Sequence, residues 1–241
     1  EELGLHGRIS DLPAQNVHVD AEWDGDDYVV WVTGKVRQTR VFGENILLCR
    51  KIFTRLGENR FWIHDSIENE GYETTPHMLL YHINLGFPIV DEGSELVAPA
   101  QGLVAKNDAG RKGLASFRQM TKPMPGCAEE LFYLDPKADE HGVAEVAVVN
   151  RNLGEGGLGV LLRYSKPTLP YFVEWKMLGQ GLYVLGVEPG NAWEEGRAFE
   201  RQRGTLQVLH PGESRSYRVE LCVLDGPAAV EAAVGRIEGR E

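Results

Sequence analysis

Two side chains in this sequence have the types needed for paired proton transfer. His82 stands in "TPHMLLYHINLGFP" (75–88), after the apolar run Met78, Leu79, Leu80, Tyr81 and before Asn84, Gly86 and Pro88. Imidazole is the side chain that titrates most readily near neutral pH. An apolar run that ends in histidine has two readings. One is a core histidine held by backbone hydrogen bonds; the other is a strand that delivers a proton donor into a cleft. Glu188 stands in "GLYVLGVEPGN" (181–191), where an apolar strand runs into the carboxylate and Pro189 and Gly190 then break it. There a partly dry environment would raise the carboxyl pKa toward that of a working base. The alternative is a strand-end glutamate facing water. A general acid is useful only when a base is aimed at the same substrate.

His6, in "GLHGRIS", is a third candidate. The neighbouring glycine lets a ligand come close to the backbone, or the segment is a plain surface turn. Near these points lie Tyr81, Trp175, Lys176, Tyr183, Asn191 and Trp193. Sugar sites use aromatic faces against C–H surfaces and charged planar groups against hydroxyls, but Trp175 and Tyr183 would also suit a sheet core. His141 and His210 read as turn residues. There is no HExxH cluster to suggest a metal and no GxSxG elbow to suggest a serine hydrolase. Cys49, Cys127 and Cys222 are odd in number, widely spaced and without a CxxC, which argues against disulfides and zinc. The expectation is therefore no metal and no cofactor.

The elements that must position these groups read as strands. Runs rich in β-branched and aromatic residues occur at 27–38, 45–57, 60–71, 75–88, 94–100, 129–135, 143–151, 157–165, 171–178 and 181–190. Two more lie in 204–226 around "PGES". Residues 101–126 carry loop chemistry, including "NDAGRKG". Only "PAAVEAAVGRIEGRE" looks helical, with Pro227 at its start. Short strands at near-regular spacing imply an all-β sandwich or barrel, expected here as one domain over residues 1–241. Of 241 residues, 28 are glycine, which suits many turns. A net charge of −11 argues against a nucleic-acid partner and against an anionic membrane surface. The free cysteines and the lack of a signal peptide or spanning run point to a cytoplasmic protein.

Three pieces in order then carry a resemblance: "LHG" at 5–7, "TPHMLLYHINLG" at 75–86 and "YVLGVEPGN" at 183–191. Together they resemble the aldose 1-epimerase (galactose mutarotase) superfamily. The blocks "LLYHINLGFPIVDEGSE", "EWKML" and "YVLGVEP" resemble a poorly characterised branch of it. The resemblance covers nearly the whole chain. It implies a β-supersandwich of large antiparallel sheets, with a cleft on one concave face and a short C-terminal helix. It implies that His82 protonates the sugar ring oxygen and that Glu188 takes the proton of the anomeric hydroxyl. It also implies that His6 helps hold the substrate. Glu129 falls where the family has a substrate-binding aspartate, with Glu130 as the other counterpart. Trp175, Lys176 and Asn191 are further substrate-binding candidates. Arg8 replaces the second glycine of the family's first loop. The family's substrate-binding arginine would precede residue 1, so an N-terminal segment is expected to be missing and Arg8 is the candidate to replace that arginine in part. The aromatic pair that follows the family's histidine is lost here. The implied activity is an isomerase that interconverts sugar anomers through ring opening, with a small carbohydrate as partner and a monomer or homodimer as assembly. The alternatives are a non-catalytic sugar-binding or sensing protein, and an isomerase or lyase acting on an oxidised or acidic sugar.

Overall fold

The computed structural model describes residues 4–98 and 101–239. These fall into two compact units: Glu1–His77 with Arg197–Glu220, and Met78–Gly196 with Leu221–Glu241.

The first unit is built on β1 (Gln15–Asp24), β2 (Asp27–Thr39), β3 (Asn45–Arg55), β4 (Arg60–Asn69) and β5 (Thr75–Pro76). From the far end of the chain it takes α2 (Arg197–Arg203), β14 (Val208–Leu209) and the first part of β15 (Ser214–Asp225). Its sheet runs β1-β2-β3-β4-β15, and β5 pairs with β14 beside it. Consecutive hairpins explain the order from β1 to β4, since short turns join antiparallel neighbours, and β15 adds to β4 from the far end of the chain. Ile67, Tyr217 and Val219 are buried on one face of this sheet and alternate with exposed Ser66, Ser216 and Arg218. His77 lies on the buried side, where its ring nitrogen sits 2.6 Å from Tyr217 Oη. Burial pulls its pKa down to about 4, and the Arg215 charge pulls it further in the same direction.

The second unit holds β6 (Ile83–Leu85), β7 (Glu95–Val97), β8 (Val104–Ala105), β9 (Glu130–Leu134), β10 (Val143–Asn150), β11 (Leu158–Ser165), β12 (Tyr171–Gly179) and β13 (Leu182–Gly190). One five-stranded sheet runs β6-β13-β12-β9-β8, and β7-β10-β11 stand in sequence in another. The core face of the five-stranded sheet carries Phe132, Leu134, Phe172, Leu185 and Val187, all essentially inaccessible. The expected terminal helix is α3 (Pro227–Glu238), with proline in its first turn. Val230, Ala233, Val234 and Ile237 fall at i, i+3, i+4 and i+7 and bury one stripe against Val97, Ala147, Val149 and Leu161. No helix among the described residues is long and apolar enough to cross a membrane.

The structure corrects the expectation at several points. The stretch 75–88 is not one strand: only Thr75–Pro76 and Ile83–Leu85 pair as such. Pro189 has no N–H to return to Tyr81, and Leu79 bonds the loop residue Asn191, so the ladder loses bonds between them. β13 in turn runs through Pro189 to Gly190 instead of breaking after Glu188. "NDAGRKG" contains α1 (Asp108–Gly113), whose start is fixed by Asn107 Oδ1 accepting the Gly110 N–H at 2.8 Å. β1 and α2 add to the expected set. β1 is exposed at nine of its ten positions, so burial does not mark it.

Candidate functional site

Register brings His82 and Glu188 together. In the β6–β13 ladder Leu85 faces Leu185, Asn84 faces Gly186 and Ile83 faces Val187. The same register continues beyond β6, where the Tyr81 N–H donates to Pro189 O at 3.0 Å and Leu80 bridges Gly190. His82 therefore stands opposite Glu188, and residues directly opposite share a face. On the other side of β13, Glu188 faces Val173 and Gly186 faces Trp175. Across β12, Val173 faces Tyr133 and Trp175 faces Leu131. Period-two alternation then brings Glu129 to the same face.

His82 Nε2 lies 3.2 Å from Glu188 Oε1. That oxygen is buried and accepts no aligned hydrogen bond, so this is close approach without a fixed donor. The imidazole is 28% exposed and the Glu188 side chain 4%. His82 is thus no core histidine; within 75–88 the buried one is His77. Burial pushes the Glu188 carboxyl up to about 8, and the negative charge of Glu194 adds to the rise. The Glu188 side chain lies over Gly186, where an added Cβ would meet Oε1 at 2.3 Å and the Trp175 Cβ at 3.3 Å. Trp175 meets the His82 ring edge-on, with centroids 5.6 Å apart at 70°. Its indole N–H donates to Glu129 Oε2 at 2.9 Å.

A second group of side chains borders the pair. Tyr133 donates to Glu194 Oε1 at 2.6 Å and stacks on Trp193 at 3.8 Å. Lys106 Nζ sits 4.5 Å from the centre of the Tyr133 ring and pairs with Glu195 at 3.1 Å. Burial raises the Glu194 carboxyl above its ordinary range. Tyr133 could have been found by extending the alternation of "EELFYL" from Glu129. Glu194 lies in a loop without periodicity, and no sequence signal marks it. Among the described residues, no group of three His, Cys, Asp or Glu side chains is arranged to hold a metal ion.

The structure thus gathers His82, Glu188, Trp175 and Glu129 on one face. Glu129, not Glu130, faces the pair. Lys176 is a correction: it lies on the core face, 3% exposed, 3.1 Å from Glu130 Oε2 and 3.3 Å from Ser116 O. One residue of alternation separates it from Trp175, and that sends it to the other side. Asn191 is also redirected. It is fully buried, and its Oδ1 accepts the Leu79 N–H at 2.6 Å while its own N–H donates to Leu79 O at 2.9 Å. It clamps the segment that leads to His82. Asn191→Ala should leave the Leu79 N–H unpaired and cost about 1–3 kcal/mol, read from urea unfolding. His6 and Arg8 belong to the first unit. His6 is exposed at φ 65°, beside Gly7 at 68°. Arg8 pairs with Glu44, which also binds Arg40 Nε at 3.0 Å.

Known proteins share this architecture. The chain is similar to a candidate aldose 1-epimerase from Klebsiella pneumoniae, with 27% identity, a TM-score of 0.91 and 98% of this chain covered. It spans 61% of the length of that structure. A galactose mutarotase-like protein from Clostridium acetobutylicum shares the fold at 16% identity and a TM-score of 0.64, covering 90% of this chain and 68% of its own. The Slr1438 protein of Synechocystis does so at 18% and 0.63, covering 92% and 69%. No match is found among curated proteins. A family model described as a domain of unknown function, DUF4432, matches residues 1–223. The chain therefore belongs to the DUF4432 family, and its fold is that of the galactose mutarotase-like proteins.

Proposed function

We propose that the protein is an aldose 1-epimerase-like isomerase acting on a neutral cyclic sugar. The observation that carries this reading is the 3.2 Å approach of His82 to the buried carboxyl of Glu188, whose burial raises its basicity. Glu188 as carboxylate takes the proton from the anomeric hydroxyl. The electrons of that O–H bond form the C1 carbonyl as the bond from C1 to the ring oxygen breaks, and His82 as imidazolium protonates the departing ring oxygen. Rotation about C1–C2 and closure on the other face reverse the transfers. The pair is thereby reset without a cofactor. Trp175 offers an aromatic face for the sugar's C–H surface. Glu129, Glu188 and Glu194 make these surroundings acidic, which favours a neutral sugar over an oxidised or acidic one.

The test is exchange between α and β anomers of neutral aldoses, followed by NMR with and without protein. His82→Ala should lower the protein-dependent rate by about 10²–10⁴-fold, the usual contribution of a positioned acid or base. Full activity in that variant, or sugar binding with no acceleration in the parent protein, would sink the proposal.

A further inference from the structure

The first unit carries a second polar surface that the proton chemistry does not use. Three cross-strand rows lie on one face of β2-β3-β4: Trp31–Phe53–Trp62, Thr33–Lys51–His64 and Lys35–Cys49–Ser66. Ser216 and Arg218 of β15 extend it, and a cavity of about 410 Å³ opens over the two polar rows. Asn16 lines its edge. It sits at φ 50° in the register shift between Gln15 and His18, and such bulges re-aim side chains.

The charge of this surface is unbalanced. The chain as a whole is strongly acidic, yet among the described residues no carboxylate lies within ion-pair distance of Lys35, Lys51 or Arg218. Asp65, the acid that borders the cavity, is committed to Arg50 through two bonds of 2.8 and 2.7 Å. Glu70, whose charge Lys35 feels, is held by Arg37. Lys51 Nζ rests instead 4.6 Å from the Trp31 ring and 5.5 Å from Phe53. His64, at the centre, is made harder to protonate by burial first and then by Arg218 and Lys51. Cations gathered around hydroxyl donors, without a counter-charge, are the chemistry that binds an oxyanion. The volume suits a molecule of monosaccharide size, and the aromatic row beside it offers a flat apolar surface.

We propose that this face is a second binding site, for the phosphate group of a small organic phosphate. Lys35, Lys51 and Arg218 supply the charge, and Thr33, Ser66 and Ser216 supply hydroxyls. The site is separate in sequence and in unit from His82 and Glu188.

The experiment titrates the full chain with inorganic phosphate, glucose 6-phosphate and glucose at constant ionic strength, followed by calorimetry and by NMR of the His64 ring. Both phosphates should saturate in the millimolar range or tighter and shift His64, and glucose should not. The double variant Lys35→Gln/Arg218→Gln changes two exposed side chains and should weaken phosphate binding at least tenfold. Lys112→Gln and Glu188→Gln should leave it unchanged. Absence of saturation by either phosphate, or equal affinity in the double variant, would overturn the proposal. So would loss of binding in Glu188→Gln, which would move the anion to the other site.

Discussion

Glu188→Gln should lower protein-dependent anomer exchange by about 10²–10⁴-fold while making the folded protein more stable. The two effects share one cause. Burial raises the folded-state pKa of Glu188 from an ordinary 4.5 to about 8. Between those values the folded protein holds a proton that the unfolded chain has released, so stability falls as pH rises. The penalty is absent below about pH 4.5 and complete above about pH 8. Its upper bound is about 5 kcal/mol, from about 1.4 kcal/mol per pH unit. A protonated His82, 3.2 Å away, offsets part of it. Glutamine keeps the shape and cannot ionise. Thermal melts should therefore coincide for the two proteins near pH 4 and separate in favour of the variant toward pH 9. A variant no more stable at pH 9 than at pH 4 would show that Glu188 is not a strained, proton-holding group.

Gly186→Ala should separate activity from stability in a different way. The new methyl would stand 2.3 Å from Glu188 Oε1 and 3.3 Å from the Trp175 Cβ. The carboxylate is the free end of a flexible side chain and can swing aside, and the tryptophan needs to give only a few tenths of an ångström. Unfolding free energy should change by less than about 1 kcal/mol, since alanine also removes the entropic disadvantage of glycine in a strand. The rate should nevertheless fall about 10²-fold, because a displacement of about 1 Å in a catalytic group costs that much. Denaturant titration beside the NMR exchange assay distinguishes this result from simple unfolding. Unchanged exchange would mean that the present position of Glu188 is not the productive one.

Much of the scaffold around these residues is legible in the amino-acid order alone. Alternating apolar strands are visible because each buries one face, and "YFVEWKML" and "GLYVLGVEPG" appear as β12 and β13 almost to the residue. α3 is visible because proline starts it and its apolar positions repeat at helical spacing. β1 is hidden because it buries almost nothing, and α1 because two of its six residues are glycine. Within the site, His82 and Glu188 are readable as chemical types, whereas Glu129 and Glu130 are equivalent until the pairing of β9 with β12 assigns them to opposite faces.

By itself the sequence determined most of the strands, which residue types are present to move a proton, and an overall charge of −11. Tertiary structure alone decided which of those groups meet. Hydrogen-bond register across β6, β13 and β12 set His82 opposite Glu188 and beside Trp175. The same pleat turned Lys176 into the core and gave Asn191 to the backbone of Leu79. Side-chain direction in a sheet alternates every residue, so a shift of one position moves a group from site to core. For His82 that register is fixed by the pairing of Ile83 with Val187 and of Leu85 with Leu185, partners far apart in sequence, which neither segment specifies alone.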